Sequence, residues 1–266
     1  MEEIINAIAQ IYVQQGTPEK FQLILNNSAN AFTFFSKPRA AKIIKSLIDK
    51  AALVPKSENV QIDLCHYLIK WCEDQKRTYL KHRIELRLAS LMLNTGKTDE
   101  ALNIIEPILS EVRKADDKHL LVELYLIEAK INHKIKNFAK AKASLTACRA
   151  ASNQVYCQPL LIADIDMTSG IIYCQDKNFK SAYSYFFEAF EAFVASEDSK
   201  AVTAFKYMIL CKIMIGAKDE IGQLLANKNG LKFASYSDIV AIKAISNAYF
   251  QESIVALKEV LDQHHK

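Results

Sequence analysis

The sequence predicts an all-α fold: an α-solenoid of about seven helical hairpins in single file, with a period near 40 residues. Three observations predict it. Apolar residues recur three and four apart through long stretches, the spacing that lines one face of a helix. One turn is written twice about forty residues apart, as Lys136-Asn137-Phe138-Ala139-Lys140-Ala141 and Lys177-Asn178-Phe179-Lys180-Ser181-Ala182. The 266 residues also hold six Gly and five Pro, well below ordinary usage, which points to long helices joined by short turns. Aligning the chain on the position that opens the second helix of each pair gives Phe21, Gln61, Ala101, Ala141, Ala182 and Ile221, in steps of 39 to 41. A shorter last step reaches Ser253; it and Gln61 are the weak marks. Hairpins in such an array bury one another's apolar sides, so each touches only its neighbours.

From the N-terminus, helices are expected over 2–15 and 18–26, where Thr17 caps the second and Pro18 takes a position at which its missing N–H costs nothing. Ser36-Lys37-Pro38 opens the next helix in the same way, to about Ala52, and Val54-Pro55-Lys56 breaks it. Over 58–75, Ile62, Cys65, Leu68, Ile69 and Cys72 fall on one stripe. The helix over 78–95 turns Ile84, Leu88, Leu91 and Met92 inward. Its partner, 98–115, contains Pro107, which removes a backbone bond and predicts a kink. Segment 117–136 is apolar on nearly every side (Leu120, Leu121, Leu124, Leu126, Ile127, Ile131, Ile135), as expected of a helix sandwiched between hairpins. A more exposed Ala- and Lys-rich helix follows over 138–152. In the next, 158–175, a mid-helix Gly170 points to a close helix–helix approach. Tyr183, Phe186, Phe187, Phe190 and Phe193 spread over a broad face of 179–195, consistent with packing on two neighbours. Helices over 199–215 and 220–227 come next, then a looser 228–235 with a turn at Asn229-Gly230. Helices over 237–249 and 251–264 close the chain.

Half of the residues are hydrophobic and 24% charged, ample for a packed core. A net charge of +4 is too small to imply nucleic acid or an acidic membrane. The six cysteines form no C-x-x-C pair and sit among apolar neighbours, so they read as core thiols of a reducing compartment. Met1-Glu2-Glu3-Ile4-Ile5 lacks the pattern of a signal peptide, and no stretch of about 18 consecutive apolar residues occurs, so a soluble intracellular chain is expected. No catalytic, cofactor-binding or metal site is expected. The six histidines lack ligand spacing, no Gly-rich loop could cradle a phosphate, and no strand-to-helix elbow exposes a serine. Asp116-Asp117 and Glu197-Asp198 lie where helices begin and suit the positive end of the helix dipole. The most distinctive surface feature is the basic run Lys76, Arg77, Lys81, His82, Arg83 and Arg87. It reads either as a solvated helix end or as a docking patch for an acidic partner. Without interleaved exposed aromatics it does not fit an RNA binder. The partner-contact candidates are Lys76, Arg77, Lys81, Arg83 and Arg87.

Several runs match a known family in order and with matching gaps: Glu73-Asp74-Gln75-Lys76-Arg77-Thr78-Tyr79-Leu80, Asp117-Lys118-His119-Leu120-Leu121-Val122-Glu123 and Met167-Thr168-Ser169-Gly170-Ile171-Ile172. To these add Ala182-Tyr183-Ser184-Tyr185-Phe186-Phe187-Glu188-Ala189-Phe190-Glu191 and Lys206-Tyr207-Met208-Ile209-Leu210-Cys211-Lys212-Ile213-Met214. They resemble the family of the 26S proteasome non-ATPase regulatory subunit 11, from about Arg39 to Leu261 and most densely over 116–215. The resemblance implies a right-handed solenoid of tetratricopeptide-like hairpins, with a period longer than the roughly 34 residues of ordinary tetratricopeptide repeats. A PCI module with a winged helix follows it in the family. The division implied here is a solenoid over 1–227 and, over 228–266, last helices that start a PCI-type module whose winged helix is absent. The implied function is that of a non-enzymatic lid subunit of the regulatory particle. It would clamp the lid to the ATPase ring and core particle in ubiquitin-dependent degradation, in the cytoplasm and nucleus. Its partners would be other lid subunits, ATPase-ring subunits and core-particle alpha subunits, with no cofactor, nucleic acid or membrane. The rivals are a scaffold subunit of the signalosome and a tetratricopeptide-type adaptor that grips peptide tails.

Overall fold

The computed structural model of the chain describes residues 2–15 and 57–264, with isolated positions between 20 and 54. Apart from isolated helical positions at 20, 39, 42–43, 46–48 and 50, the helices expected over 18–26 and from Ser36 to about Ala52 lie outside the described residues, as do their capping residues, the break at Pro55 and the Phe21 mark. Those described are helical apart from short connections, and none of them forms a strand. No described helix is long and apolar enough to cross a membrane. The chain divides into two compact units, Met1–Leu120 and Leu121–Lys266.

The first unit holds α1 (Glu2–Gln15), α2 (Glu58–Asp74), α3 (Thr78–Thr95), α4 (Thr98–Ala115) and the opening of α5 (Lys118–Lys134). The middle helix, α3, packs against both α2 and α4. Its predicted inward residues Ile84, Leu88, Leu91 and Met92 are all buried, and so are Ile62, Cys65, Leu68 and Cys72 of α2. In α4 the helix continues through Pro107 to Ala115. Pro107 and Asn103, whose carbonyl loses its partner, are both exposed, so the missing bond lies on the wet side.

The second unit continues α5 and adds α6 (Phe138–Ser152), α7 (Pro159–Gln175), α8 (Phe179–Ala195) and α9 (Lys200–Ile215). The short α10 (Lys218–Ala226) and α11 (Lys228–Phe233) follow, then α12 (Ser237–Phe250) and α13 (Ile254–His264). The sixth helix lies on α7, α8 lies on both α7 and α9, α9 touches α10 and α12, and α12 pairs with α13. Inside α5, Leu120, Leu121, Val122, Leu124, Leu126 and Ile131 are buried, whereas Ile135 is exposed because the helix ends at Lys134.

The repeat is visible in the helix starts. Thr98, Phe138, Phe179 and Lys218 begin helices 40, 41 and 39 residues apart. Ala101, Ala141, Ala182 and Ile221 each hold the fourth position of their helix and are buried there, and Gln61 does the same in α2. Ser253 does not. It stands one residue before α13, and its hydroxyl accepts the Ala256 N–H at 3.2 Å. The turns explain how a chain so poor in glycine repeats this way. Lys76, Gly96, Asp116, Lys136, Lys177, Glu197 and Gly216 all adopt left-handed φ, from 52° to 86°, at helix ends some twenty residues apart. Most are not glycine, so most turns carry a backbone cost of roughly 1–2 kcal/mol that the flanking packing offsets. The two Lys-Asn-Phe turns are the same structure. Lys136 and Lys177 are left-handed, and the Asn137 and Asn178 side chains accept the N–H groups of Lys140 and Ser181, each at 3.3 Å. Between α6 and α7 the rhythm changes: Asn153 stays right-handed, Gln158 is extended, and Pro159 opens α7.

Two glycines mark close approaches. A Cβ on Gly170 would fall 2.5 Å from Cε1 of Phe186, so α7 and α8 touch where the sequence suggested. Phe186, Phe190 and Phe193 are buried, Phe186 stacks on Tyr207 (5.0 Å) and Phe190 on Phe205 (5.2 Å). Tyr183 is only half-buried and Phe187 is exposed, so the aromatic face is narrower than expected. Gly230 corrects the sequence reading. The expected turn at Asn229-Gly230 is part of helix α11, capped by Asn227, whose side chain accepts the Lys228 N–H at 2.9 Å. Gly230 is required there because a Cβ would fall 2.1 Å from the Leu224 carbonyl oxygen.

Candidate docking surface

The basic run occupies the turn from α2 into α3 and the first half of α3. Lys76, in the left-handed position of the turn, is exposed. The Arg77 guanidinium sits 4.7 Å from the centre of the Trp71 ring, and its Nη1 is buried. Arg83 lies over the exposed Tyr79 ring at 5.2 Å and donates through Nε to the Tyr79 hydroxyl at 2.9 Å. Lys81 and His82 face acids. Lys81 Nζ is 2.8 Å from Glu73 and 3.6 Å from Glu85, and buried His82 reaches Glu111 of α4 at 2.9 Å.

Electrostatics separates the two groups further. The bond to Glu73, with help from the Glu85 charge, holds the Lys81 ammonium above its ordinary value. Burial pushes the Glu85 carboxyl up, against the pull of Lys81. Arg87 is half-buried and close enough to Cys65 to oppose the burial that pushes that thiol up to about 12. The five candidates therefore do not form one uniform face: Lys76, Arg77 and Arg83 flank aromatic rings or solvent, while Lys81 and Arg87 lie in the seam between α2 and α3. Of the acids that divide them, only Glu85 was legible, being four residues from Lys81 on one helix. Glu73 comes from across the turn and Glu111 from the next helix.

A second polar cluster, which sequence reasoning missed, ties three helices of the second unit. Arg149 of α6 donates through Nη2 to Asp166 of α7, through Nε to the Ser169 hydroxyl at 3.2 Å and through Nη1 to the Tyr185 hydroxyl of α8 at 3.4 Å. Its guanidinium is 4.3 Å from the centre of the Tyr185 ring, which stacks on Tyr173 at 5.2 Å. Asp166 is 6% exposed. Burial pushes its carboxyl up to about 6, against the pull of Arg149 and with a push from Glu188. The three donors are spent on the fold, so the cluster reads as a structural clasp. Among the described residues no group of three or more His, Cys, Asp or Glu is placed to hold a metal ion. Exposed apolar side chains concentrate on the last two helices, where Ile254 is 71% and Val255 68% exposed, beside exposed Val240, Tyr249 and Leu261.

Residues 1–95 match the family described as the 26S proteasome regulatory subunit RPN6 N-terminal domain. The probable 26S proteasome regulatory subunit rpn6 of Schizosaccharomyces pombe is 37% identical over 264 residues, covering 99% of this chain and 62% of that protein. The 26S proteasome non-ATPase regulatory subunit 11 of Dictyostelium discoideum is 39% identical over 259 residues, 97% of this chain and 63% of that protein. The chain thus spans less than two thirds of the length of these relatives. Among solved structures, the Rap protein complexed with competence and sporulation factor matches 93% of this chain and 69% of its own, with a TM-score of 0.64 at 16% identity. That likeness concerns the fold alone, an all-α array of the tetratricopeptide-like helical-repeat class.

Proposed function

For a chain that is a relative of the 26S proteasome regulatory subunit 11 (RPN6) family over nearly its whole length, we propose a scaffolding role in the lid of the proteasome regulatory particle. The observation that carries this reading is the 37% and 39% identity, which runs through both compact units and not through one motif. The role is non-enzymatic, in keeping with relatives named as regulatory subunits. In it the hairpins hold the lid to the ATPase ring and the core particle during ubiquitin-dependent degradation, in cytoplasm and nucleus. The partners are other lid subunits, ATPase-ring subunits and core-particle alpha subunits. Lys76, Arg77 and Arg83 meet an acidic partner surface, with Lys81 and Arg87 supporting them from the α2–α3 seam. The exposed apolar residues of α12 and α13 suit a protein interface as well.

Recovery of the tagged chain from native extract tests the reading. Co-purifying peptidase activity and breakdown of ubiquitylated substrate are expected. Cullin deneddylation in the same eluate would move the chain to the signalosome, and neither activity would remove it from both assemblies. Lys76→Glu with Arg83→Glu should lower recovery of partners while leaving the melting temperature in place. Equal loss of both would make the run a folding element.

A further inference from the structure

Cys174, next to the last residue of α7, and Cys211 in α9 are 37 positions apart, yet their sulfurs lie 3.8 Å from one another. Cys211 is buried, whereas Cys174 is only half-buried, so a small solute can reach the pair from one side. The surroundings are defined on the α8 side by Tyr183, whose ring carries the Lys212 ammonium 3.9 Å from its centre. A disulfide requires sulfurs at about 2.0 Å, so the two must close by about 1.8 Å. One of them stands in the last turn of its helix, where local opening is easiest.

The other four cysteines differ in kind. Burial pushes Cys65 and Cys148 up to about 12 and Cys72 to about 11, and it raises Cys157 as well; all four are buried, which disfavours the thiolate. Cys174 alone moves down, because of the hydrogen bond it shares with Cys211, and Cys211 moves up in return through that bond and its burial. Accessibility assigns the roles: half-buried Cys174 is the attacking thiol and buried Cys211 the resolving one.

We propose that Cys174 and Cys211 form a peroxide-oxidisable dithiol that closes to a disulfide bridging α7 and α9. In the first step the Cys174 thiolate attacks one oxygen of hydrogen peroxide. An S–O bond forms, the O–O bond breaks, and the departing hydroxide takes the thiol's proton as water. In the second step the Cys211 sulfur attacks the Cys174 sulfenic acid. The S–S bond forms, the S–O bond breaks, and hydroxide leaves with the Cys211 proton as a second water. Two thiols lose two electrons and one peroxide becomes two waters.

The test uses the reduced full chain, treated with hydrogen peroxide, quenched with N-ethylmaleimide under denaturing conditions and digested without reductant. Mass spectrometry should find a peptide cross-linked between Cys174 and Cys211 as the first oxidation product, reversible with dithiothreitol, while the other four cysteines remain alkylated. Loss of any of those four before this pair, or over-oxidised Cys174 without the cross-link, would overturn the proposal. Cys211→Ser should abolish the cross-link and leave Cys174 as a sulfenic acid captured by dimedone. No adduct on Cys174 in that variant would equally overturn its assignment as the attacking thiol.

Discussion

Between α2 and α3 the contact is partly charged: Lys81, Glu85, Arg87 and the Arg77–Trp71 pair share the seam with Cys65 and Leu68. Between α7, α8 and α9 it is close and aromatic, with Gly170 under Phe186 and with Phe190 on Phe205. The helices have nearly equal lengths and the same kind of turn, so the hairpin frame tolerates either chemistry. The difference lies in what each contact can lose. A dense aromatic contact fails when volume changes, because interiors are packed like crystals. A charged seam, partly wet, fails mainly when one partner is left without compensation.

The largest effect is therefore expected at Phe186, which is fully buried. Phe186→Ala should cost about 3–5 kcal/mol, read as a lowered urea midpoint. Gly170→Ala, forcing a methyl against the same ring, should cost about 2–3 kcal/mol by overpacking. In a Phe186→Leu background the Gly170→Ala penalty should shrink, since the two changes share one space. Equal penalties in both backgrounds would mean that the helices move apart freely there.

The Arg149 clasp borrows from both regions, being charged but buried on the Asp166 side. Arg149→Ala should cost about 2 kcal/mol at neutral pH, because it strands a buried carboxylate. The pH dependence has a definite sign. Asp166 titrates near 6 when folded and at about 3.9 when unfolded. Between those values the folded chain binds more protons, so this group's contribution to stability rises as pH falls. Asp166→Asn should flatten that rise, and the Arg149→Ala deficit should narrow at about pH 4.5 relative to about pH 7.5. A deficit that widens on acidification would place the stabilisation elsewhere than in the Asp166 charge.

Much of the frame was legible because it is local. The forty-residue step, the helix over Phe138–Ser152 and that over Phe179–Ala195 follow from apolar spacing and from the Lys-Asn-Phe turn written twice, whose Asn caps lie within one turn. Gly170 was readable for a similar reason: nothing in a straight helix needs a glycine except a neighbour. Gly230 obeyed the same rule but stood beside Asn229, and the dipeptide has the chemistry of a turn, which hid a contact with the Leu224 carbonyl. Left-handed lysines and acids at helix ends leave no compositional mark at all. The docking run was visible as charge, yet its division by Glu73 and Glu111 depends on which helix lies alongside. The Arg149–Tyr185 arm of the clasp and the Cys174–Cys211 contact are longer-range still, 36 and 37 residues apart, and require the stacking itself.

The twin turns give a prediction of intermediate size. Asn137→Ala and Asn178→Ala each remove one capping bond and should each cost about 1 kcal/mol, equal within error because the two turns share one geometry. Unequal losses would show that the flanking packing, not the cap, sets the turn.

The smallest effects separate the two halves of the basic run. Lys81→Glu would place a third acid beside Glu73 and the half-buried Glu85, and should lower stability by about 1 kcal/mol, less at high salt. Lys76→Glu, at an exposed turn position, should stay within about 0.5 kcal/mol of the parent. Paired melts at low and high salt check this directly, and the salt response is the sharper readout. The Lys81→Glu deficit should shrink with added salt, while Lys76→Glu should show no comparable change. If Lys76→Glu proved the more damaging, its role would be in the fold of the α2–α3 turn, and its value as a docking residue would fall with it.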